Sequence, residues 1–228
     1  MLDLISTPEF WLGVAQIIAI DLLLGGDNAV VIALACRRLP DHQRNRAIVI
    51  GALGAIVLRL ALIFFALELL DLPYLRLVGG ALLLWIGIKL VRDDGDDNED
   101  LKASTHLWGA VRTIIIADAV MSLDNVLAVA AASHGEIVLV AIGILISIPL
   151  IVWGSRLVLW LMDRFPIIVT FGGALLGWIA GEMAAHDLAL PEMPGWIPYA
   201  AGTTGAAVVL LAGLLLNAAA RKRAARSA

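Results

Sequence analysis

Apolar residues dominate seven stretches of this chain, at approximately 9–35, 46–70, 74–91, 107–132, 137–161, 166–185 and 197–219. Each is long enough to cross about 30 Å of hydrocarbon as a helix. The first opens with Thr7-Pro8-Glu9, which supplies a cap residue, a proline at the first helical position and an acid in the first turn. It lacks the basic leader of a cleaved signal, so it is expected to be retained as a span. Between the third and fourth stretches runs Asp93-Asp94-Gly95-Asp96-Asp97-Asn98-Glu99-Asp100. Its acids do not alternate as in a calcium-binding loop, and it reads as a solvated connector.

Composition agrees with this pattern and narrows it. Of 228 residues, 61% are hydrophobic and 16% charged, with a mean hydropathy of +0.93. Too little polar surface remains to coat a water-soluble globule. The expected fold class is an all-α membrane protein. The single Cys36 excludes a disulfide within one chain and any multi-cysteine metal site; at the end of the first span it reads as a small apolar filler. The net charge of −4 reflects the acidic connector. Basic residues, among them Arg37, Arg38, Arg92, Arg164 and the tail from Arg221 to Arg226, gather on one side of the expected membrane, leaving Arg76 on the other. That asymmetry predicts an outside amino terminus and a cytoplasmic carboxyl terminus.

The hydrophobic pattern also contains a repeat. Asp21-Leu-Leu-Leu-Gly-Gly-Asp27-Asn28 returns as Asp118-Ala-Val-Met-Ser-Leu-Asp124-Asn125, a shift of 97 positions that also relates Arg59 to Arg156. At a shift of 93, Gly79-Gly80-Ala81-Leu82-Leu83-Leu84-Trp85-Ile86 matches Gly172-Gly173-Ala174-Leu175-Leu176-Gly177-Trp178-Ile179. Helices one to three and four to six therefore read as copies of one unit. An odd number of spans forces the second copy to start from the opposite side, giving an inverted repeat about an axis in the membrane plane. The expected organisation is repeat unit 1 at 1–91, an acidic cytoplasmic linker at 92–106, repeat unit 2 at 107–187, and a seventh helix with a basic tail at 188–228.

Four aspartates inside membrane spans need a function. A charged group at the bilayer centre costs about 2.5–3.5 kcal/mol on insertion scales alone. Symmetry would bring both Asp-Asn motifs to one midplane site, where carboxylate and amide oxygens suit hard divalent cations. Asp21 and Asn28 share a helix face but Asp27 lies about 120° away, so a straight helix cannot aim all three at one point. Gly25-Gly26 offers the break that could; Ser122-Leu123 occupies that place in the second copy, which is expected to stay more regular. Met121 offers a soft ligand near Asp118, or simply fills the core. Arg59 and Arg156 are candidate counter-charges for the metal-free site, with interfacial snorkelling the other reading, favoured for Arg156. Glu182, which aligns with Lys89, either carries a proton during exchange or ends its helix at the outer surface. Glu68 and Asp71 read as outer-surface residues. His42, His106, His134 and His186 fall near span ends and do not gather into a ligand set. The paired glycines at 79–80 and 172–173 read as helix-packing contacts.

The residues Asp21 to Ala35, followed by Arg37-Arg38-Leu39-Pro40, and Asp118 to Ala130 resemble the TerC family of integral membrane proteins, with a short length similar to its YjbE-like branch. The resemblance covers helices one to six. It implies a seven-helix fold related to the LysE-type transporter superfamily and export of Mn²⁺, with Asp21, Asp27, Asn28, Asp118, Asp124 and Asn125 as the metal site. No nucleotide-binding loop or nucleophile motif is present, so neither a cofactor nor enzymatic activity is expected. The expected partners are a divalent cation and the lipid bilayer of a prokaryotic plasma membrane, with no nucleic acid; a homo-oligomer stays open. The leading reading is a secondary transporter exporting a divalent cation, most of all Mn²⁺, by proton antiport. Two alternatives stand beside it. One is a membrane scaffold that recruits partner proteins. The other is an intramembrane aspartyl protease, against which Leu24 stands where that class needs a glycine.

Overall fold

A computed structural model of the chain describes residues 8–65, 72–92, 103–132, 137–191 and 193–227. Among the described residues the fold is entirely helical. The helices are α1 (Pro8–Leu24), α2 (Gly26–Cys36), α3 (Asp41–Phe64), α4 (Leu75–Val91), α5 (Ala103–Ala132), α6 (Ile137–Arg164), α7 (Ile167–Ala185) and α8 (Ile197–Ser227). Glu68, Asp71 and the acidic run at 93–100 lie outside the described residues, as does the side chain of Asp124.

The first expected span is two helices rather than one. α1 and α2 meet at 51°, with Gly25 at the joint. A Cβ there would stand 2.5 Å from the Asp21 carbonyl oxygen and 3.2 Å from Asn28 Nδ2, so the break is tight enough to require glycine. Gly25 N–H still donates to Asp21 O at 2.7 Å, and Asn28 N–H to Gly25 O at 3.0 Å. The second copy of the motif runs unbroken through the 30 residues of α5. The break expected at the glycine pair and the regularity expected of its counterpart are both present.

Four helical segments are long and apolar enough to cross a membrane, Asp41–Ile63, Val140–Arg164, Ile167–Ala185 and Ile197–Ala219, and the bent pair α1–α2 makes five if it is one span. α4, with 17 residues, reaches about 26 Å at 1.5 Å per residue, short of the hydrocarbon thickness. α5 has the length but carries Arg112, Asp118 and Asp124 along it. The seven spans expected from hydropathy therefore reduce to this smaller set on length and apolarity.

Packing follows a regular scheme. α3 lies against α5, while α1 and α2 lie against α6; α4 packs on α7, and α8 covers α7 and α4. Small residues set the closest approaches. A Cβ on Gly177, Gly181 or Gly205 would collide with facing backbone between α7 and α8, and one on Gly80 would reach 2.5 Å from Ala180 O. Cys36 is fully buried in the main core with Leu34, Ile48, Leu83 and Ile114. Trp85, Trp153, Trp160, Leu211 and Leu215 point outward, as a surface solvated by lipid requires.

Two clamps fasten the helix ends. Arg44 Nη1 donates to Asp163 at 2.8 Å and Nε to Leu39 O at 2.9 Å, tying the α2–α3 turn to the end of α6. At the other clamp Asp187 accepts N–H bonds from Tyr74 at 2.9 Å, Leu77 at 3.0 Å and Ala189 at 2.8 Å. It thereby caps α4, whose preceding residue Tyr74 has φ 68°. Burial opposes ionisation of this carboxyl, but the N–H groups of Ala189, Leu77, Tyr74 and Arg76 outweigh it and hold Asp187 below the usual carboxylate range.

Candidate functional site

Three charged side chains from three helices meet in the interior. Arg59, on α3, is 3% exposed; Asp21, on α1, is 3% exposed and Asp118, on α5, 7%. Arg59 Nη1 donates to Asp21 Oδ1 in a close ion pair, and Nη2 donates to Asp118 Oδ1 at 2.7 Å. The planar guanidinium fork suits this task because it offers donors in fixed directions to two carboxylates at once. Two hydroxyls complete the network. Ser122, one turn after Asp118, accepts from Arg59 Nε at 3.0 Å and donates to Asp118 Oδ2 at 3.2 Å. Ser147, on α6, donates to Asp21 Oδ2 at 2.5 Å. Buried charges are tolerated when paired and hydrogen-bonded in this way.

Residues of both motif copies thus reach one cluster. Asp21 comes from the first and Asp118 from the second, and Arg59 bridges them. The break at Gly25 sets α2 at an angle to α1, which carries Asp27 and Asn28 to the start of a new helix. Asn28 is 2% exposed. Among the described residues, Asp27 Oδ1 and both polar atoms of the Asn28 side chain are buried with no hydrogen-bond partner. A buried polar group without a partner costs about 1–3 kcal/mol, and each such group calls for an explanation, a bound ion or water among them. The charges of Asp118 and Arg59 act on Asp27, and the Asn28 amide shares the Gly25 joint with the Asp21 carbonyl. Among the described residues no three His, Cys, Asp or Glu side chains form a metal cage. Arg59 stands between the carboxylates instead.

The remaining expected residues fall in several places. Asn125 is half-buried on α5. Met121 is buried in the apolar core with Val120 and Leu123. Arg156 is exposed and is no counter-charge to the cluster. The inward face of α6 is Ser147, Ile151, Ser155 and Leu159, and one residue further on turns a side chain about 100° away. Glu182 sits in the last turn of α7, where its Oε2 accepts from Trp178 Nε1 at 3.0 Å. It lines a cavity of about 300 Å³ with Arg76, Ile179, Met183 and His186 at the helix end, away from the charged cluster. Ser122, Ser147 and Asp187 take polar roles that the sequence reading did not assign. Ser147 had a signal, as a hydroxyl inside the apolar run Ile144 to Ile151.

The profile of the integral membrane protein TerC family matches residues 6–225. The chain is 46% identical over 179 residues to the membrane protein YjbE of Bacillus subtilis, covering 78% of this chain and 82% of that one. It is 26% identical over 201 residues to the Bacillus subtilis membrane protein YceF, covering 84% and 77%. With the inner membrane protein YgdQ of Escherichia coli it shares 27% identity over 215 residues, covering 86% and 90%. No solved structure matches. The chain belongs to the TerC family and is an integral, multi-pass membrane protein with bacterial relatives.

Proposed function

We propose that this TerC-family chain is a secondary transporter that carries a divalent metal cation, Mn²⁺ foremost, out across the bacterial inner membrane. The observation that carries the reading is the convergence of Asp21 and Asp118, one from each motif copy, on a single buried guanidinium beside the orphaned oxygens of Asp27 and Asn28. A site that already holds one cation by oxygen donors is built for positive charge. A proton-sharing carboxylate dyad has no place for a guanidinium between its members. Asp124 and Asn125 complete the ligand set by the repeat. Oxygen donors of this kind favour Mn²⁺, Mg²⁺ and Ca²⁺ over Cu⁺. Protons are the counter-substrate in this reading, since a carboxylate holds either a proton or a metal ion.

The architecture that goes with it is seven spans with the two three-helix halves inverted. The packing scheme supports that reading. Exchanging the halves turns the contact of α3 with α5 into that of α1 and α2 with α6, turns α2 on α7 into α5 on α4, and leaves α4 on α7 unchanged. In such a fold the two halves rock about a fixed central site. α8 lies outside the exchange. The inner-membrane placement draws on the name of the relative YgdQ.

The test is complementation. A bacterial strain lacking its own manganese exporters is expected to regain growth at toxic Mn²⁺ when it expresses the chain, with lower cell manganese. Asp27→Asn and Asp124→Asn are expected to abolish rescue while still inserting. Full rescue by both variants would refute the site.

A further inference from the structure

Arg59 is a permanent cation seated where the proposed substrate should bind. Its guanidinium does not lose its proton, so titration cannot clear it from the site. It contacts both carboxylates and one of the two hydroxyls that line them. Resting on the transport reading above, we infer that Arg59 is a tethered competitor of the transported ion: its guanidinium and the divalent cation occupy the Asp21–Asp118 pair in turn.

Three observations lead there. First, the fork joins α1 to α5, elements of the two halves, as a bound metal would, so Arg59 holds the two carboxylates together and offsets one of their charges. Two buried carboxylates without a counter-charge would repel in a low dielectric. Second, Asp27 Oδ1 and the Asn28 amide are buried and unpartnered beside the cluster among the described residues. An arriving cation finds its first oxygens there while Arg59 still holds the other pair. Third, the partners can switch roles. The Ser122 hydroxyl accepts from Arg59 and donates to Asp118, and on withdrawal of the guanidinium its oxygen becomes available to a metal. Arg156, the repeat partner of Arg59, faces outward, so the described cluster holds a single tethered competitor.

The consequence is a split between two modes of transport. With Arg59 in place the carrier returns empty with its carboxylates compensated, and net flux is possible. Without it the metal itself must neutralise the site, so the carrier exchanges metal for metal but returns empty slowly. The experiment uses the full chain in liposomes. It compares wild type, Arg59→Gln and Arg59→Lys for Mn²⁺ binding in detergent, net Mn²⁺ uptake into empty vesicles, and exchange of radioactive Mn²⁺ into Mn²⁺-loaded vesicles. For Arg59→Gln the binding is expected to tighten by at least about tenfold, because a competing occupied state is removed. Net uptake falls by a similar factor while exchange survives. Arg59→Lys keeps the charge without the fork and is expected to retain both modes, with an intermediate affinity. Weaker or unchanged binding with both modes falling in parallel would show a merely structural arginine and overturn the inference. If Arg59→Gln fails to fold, Arg59→Lys decides: tighter binding with net uptake retained supports competition, and a parallel loss of both modes refutes it. A wild-type chain that neither binds nor moves Mn²⁺ would overturn the transport reading itself, and the inference with it.

Discussion

Neutralising Asp21 and Asp118 together should be far more harmful than neutralising either alone or both along with Arg59. Asp21 and Asp118 each give Arg59 one charge-assisted hydrogen bond and keep one hydroxyl partner of their own. An asparagine at either position preserves the size and the hydroxyl contact but removes the charge. The loss should be about 2 kcal/mol for each single variant, within the range for hydrogen bonds to charged groups. The double variant Asp21→Asn/Asp118→Asn leaves a guanidinium that is 3% exposed with neither of the carboxylates it bonds. Stranding a buried charge costs about 3–5 kcal/mol, so, added to the two bonds, the double should lose at least about 7 kcal/mol against about 4 for the sum of the singles. Adding Arg59→Gln removes the stranded guanidinium and should bring stability back to within about 1–2 kcal/mol of wild type. Thermal unfolding of the detergent-solubilised chain, followed by the fluorescence of its 7 tryptophans, reads this out. At about 2–4 °C per kcal/mol for a chain of this size, the double should melt at least about 14 °C below wild type and the triple within about 8 °C. A double equal to the sum of the singles, with a triple no better than the double, would refute the account of a stranded charge.

Other outcomes follow from the same structure. Gly25→Ala places a methyl against the Asp21 carbonyl oxygen, 2.5 Å away in the present backbone; it should cost about 1–3 kcal/mol and abolish metal rescue without preventing membrane insertion, checked by growth and by immunoblot of membranes. Gly205→Leu should separate α8 from α7, where the backbones meet at Gly177, and lower the melting temperature more than Gly195→Leu, which has open space around it. Asp187→Ala removes three backbone acceptor contacts and should cost about 3 kcal/mol at roughly 1 kcal/mol per bond. Because the folded carboxyl lies below its unfolded value, near about 3.9, its contribution is present above about pH 4 and is lost as pH falls through the lower folded value. The melting temperature of wild type should therefore drop below pH 4 with a slope that Asp187→Ala reduces.

The doubled motif, the glycine break and the burial of Arg59 were all legible in the sequence, because each rests on a local conflict between polarity and a hydrophobic run. The role of Arg156 was not. Identity aligns it with Arg59 at a shift of 97, yet the buried Ile48, Ala55 and Arg59 of α3 correspond at a shift of 96 to the buried Ile144, Ile151 and Ser155 of α6. A slip of one residue turns a side chain about 100° on a helix, so Ser155 takes the inward place and Arg156 faces out. Ser122, at the position of Gly25 in the second copy, reads as a sign of helix regularity in sequence, and its hydroxyl's bonds to Arg59 and Asp118 come only from the packing of α3 on α5. Asp187 lies outside any motif; its role comes from the left-handed turn at Tyr74, which no hydropathy pattern encodes. Glu182 could not be assigned from sequence because a glutamate in the last turn of a span reads equally as a buried proton carrier and as a helix end. Its bond to Trp178 and the cavity beside it place it at the end of α7.

Flux through the purified chain is the most direct measurement. Liposomes containing this protein alone should take up Mn²⁺, faster with an imposed pH gradient, and Asp27→Asn and Asp124→Asn should abolish that uptake. Vesicles in which wild type moves no divalent ion, or in which both variants transport like wild type, would contradict the claim that the two motifs make one cation site inside the membrane.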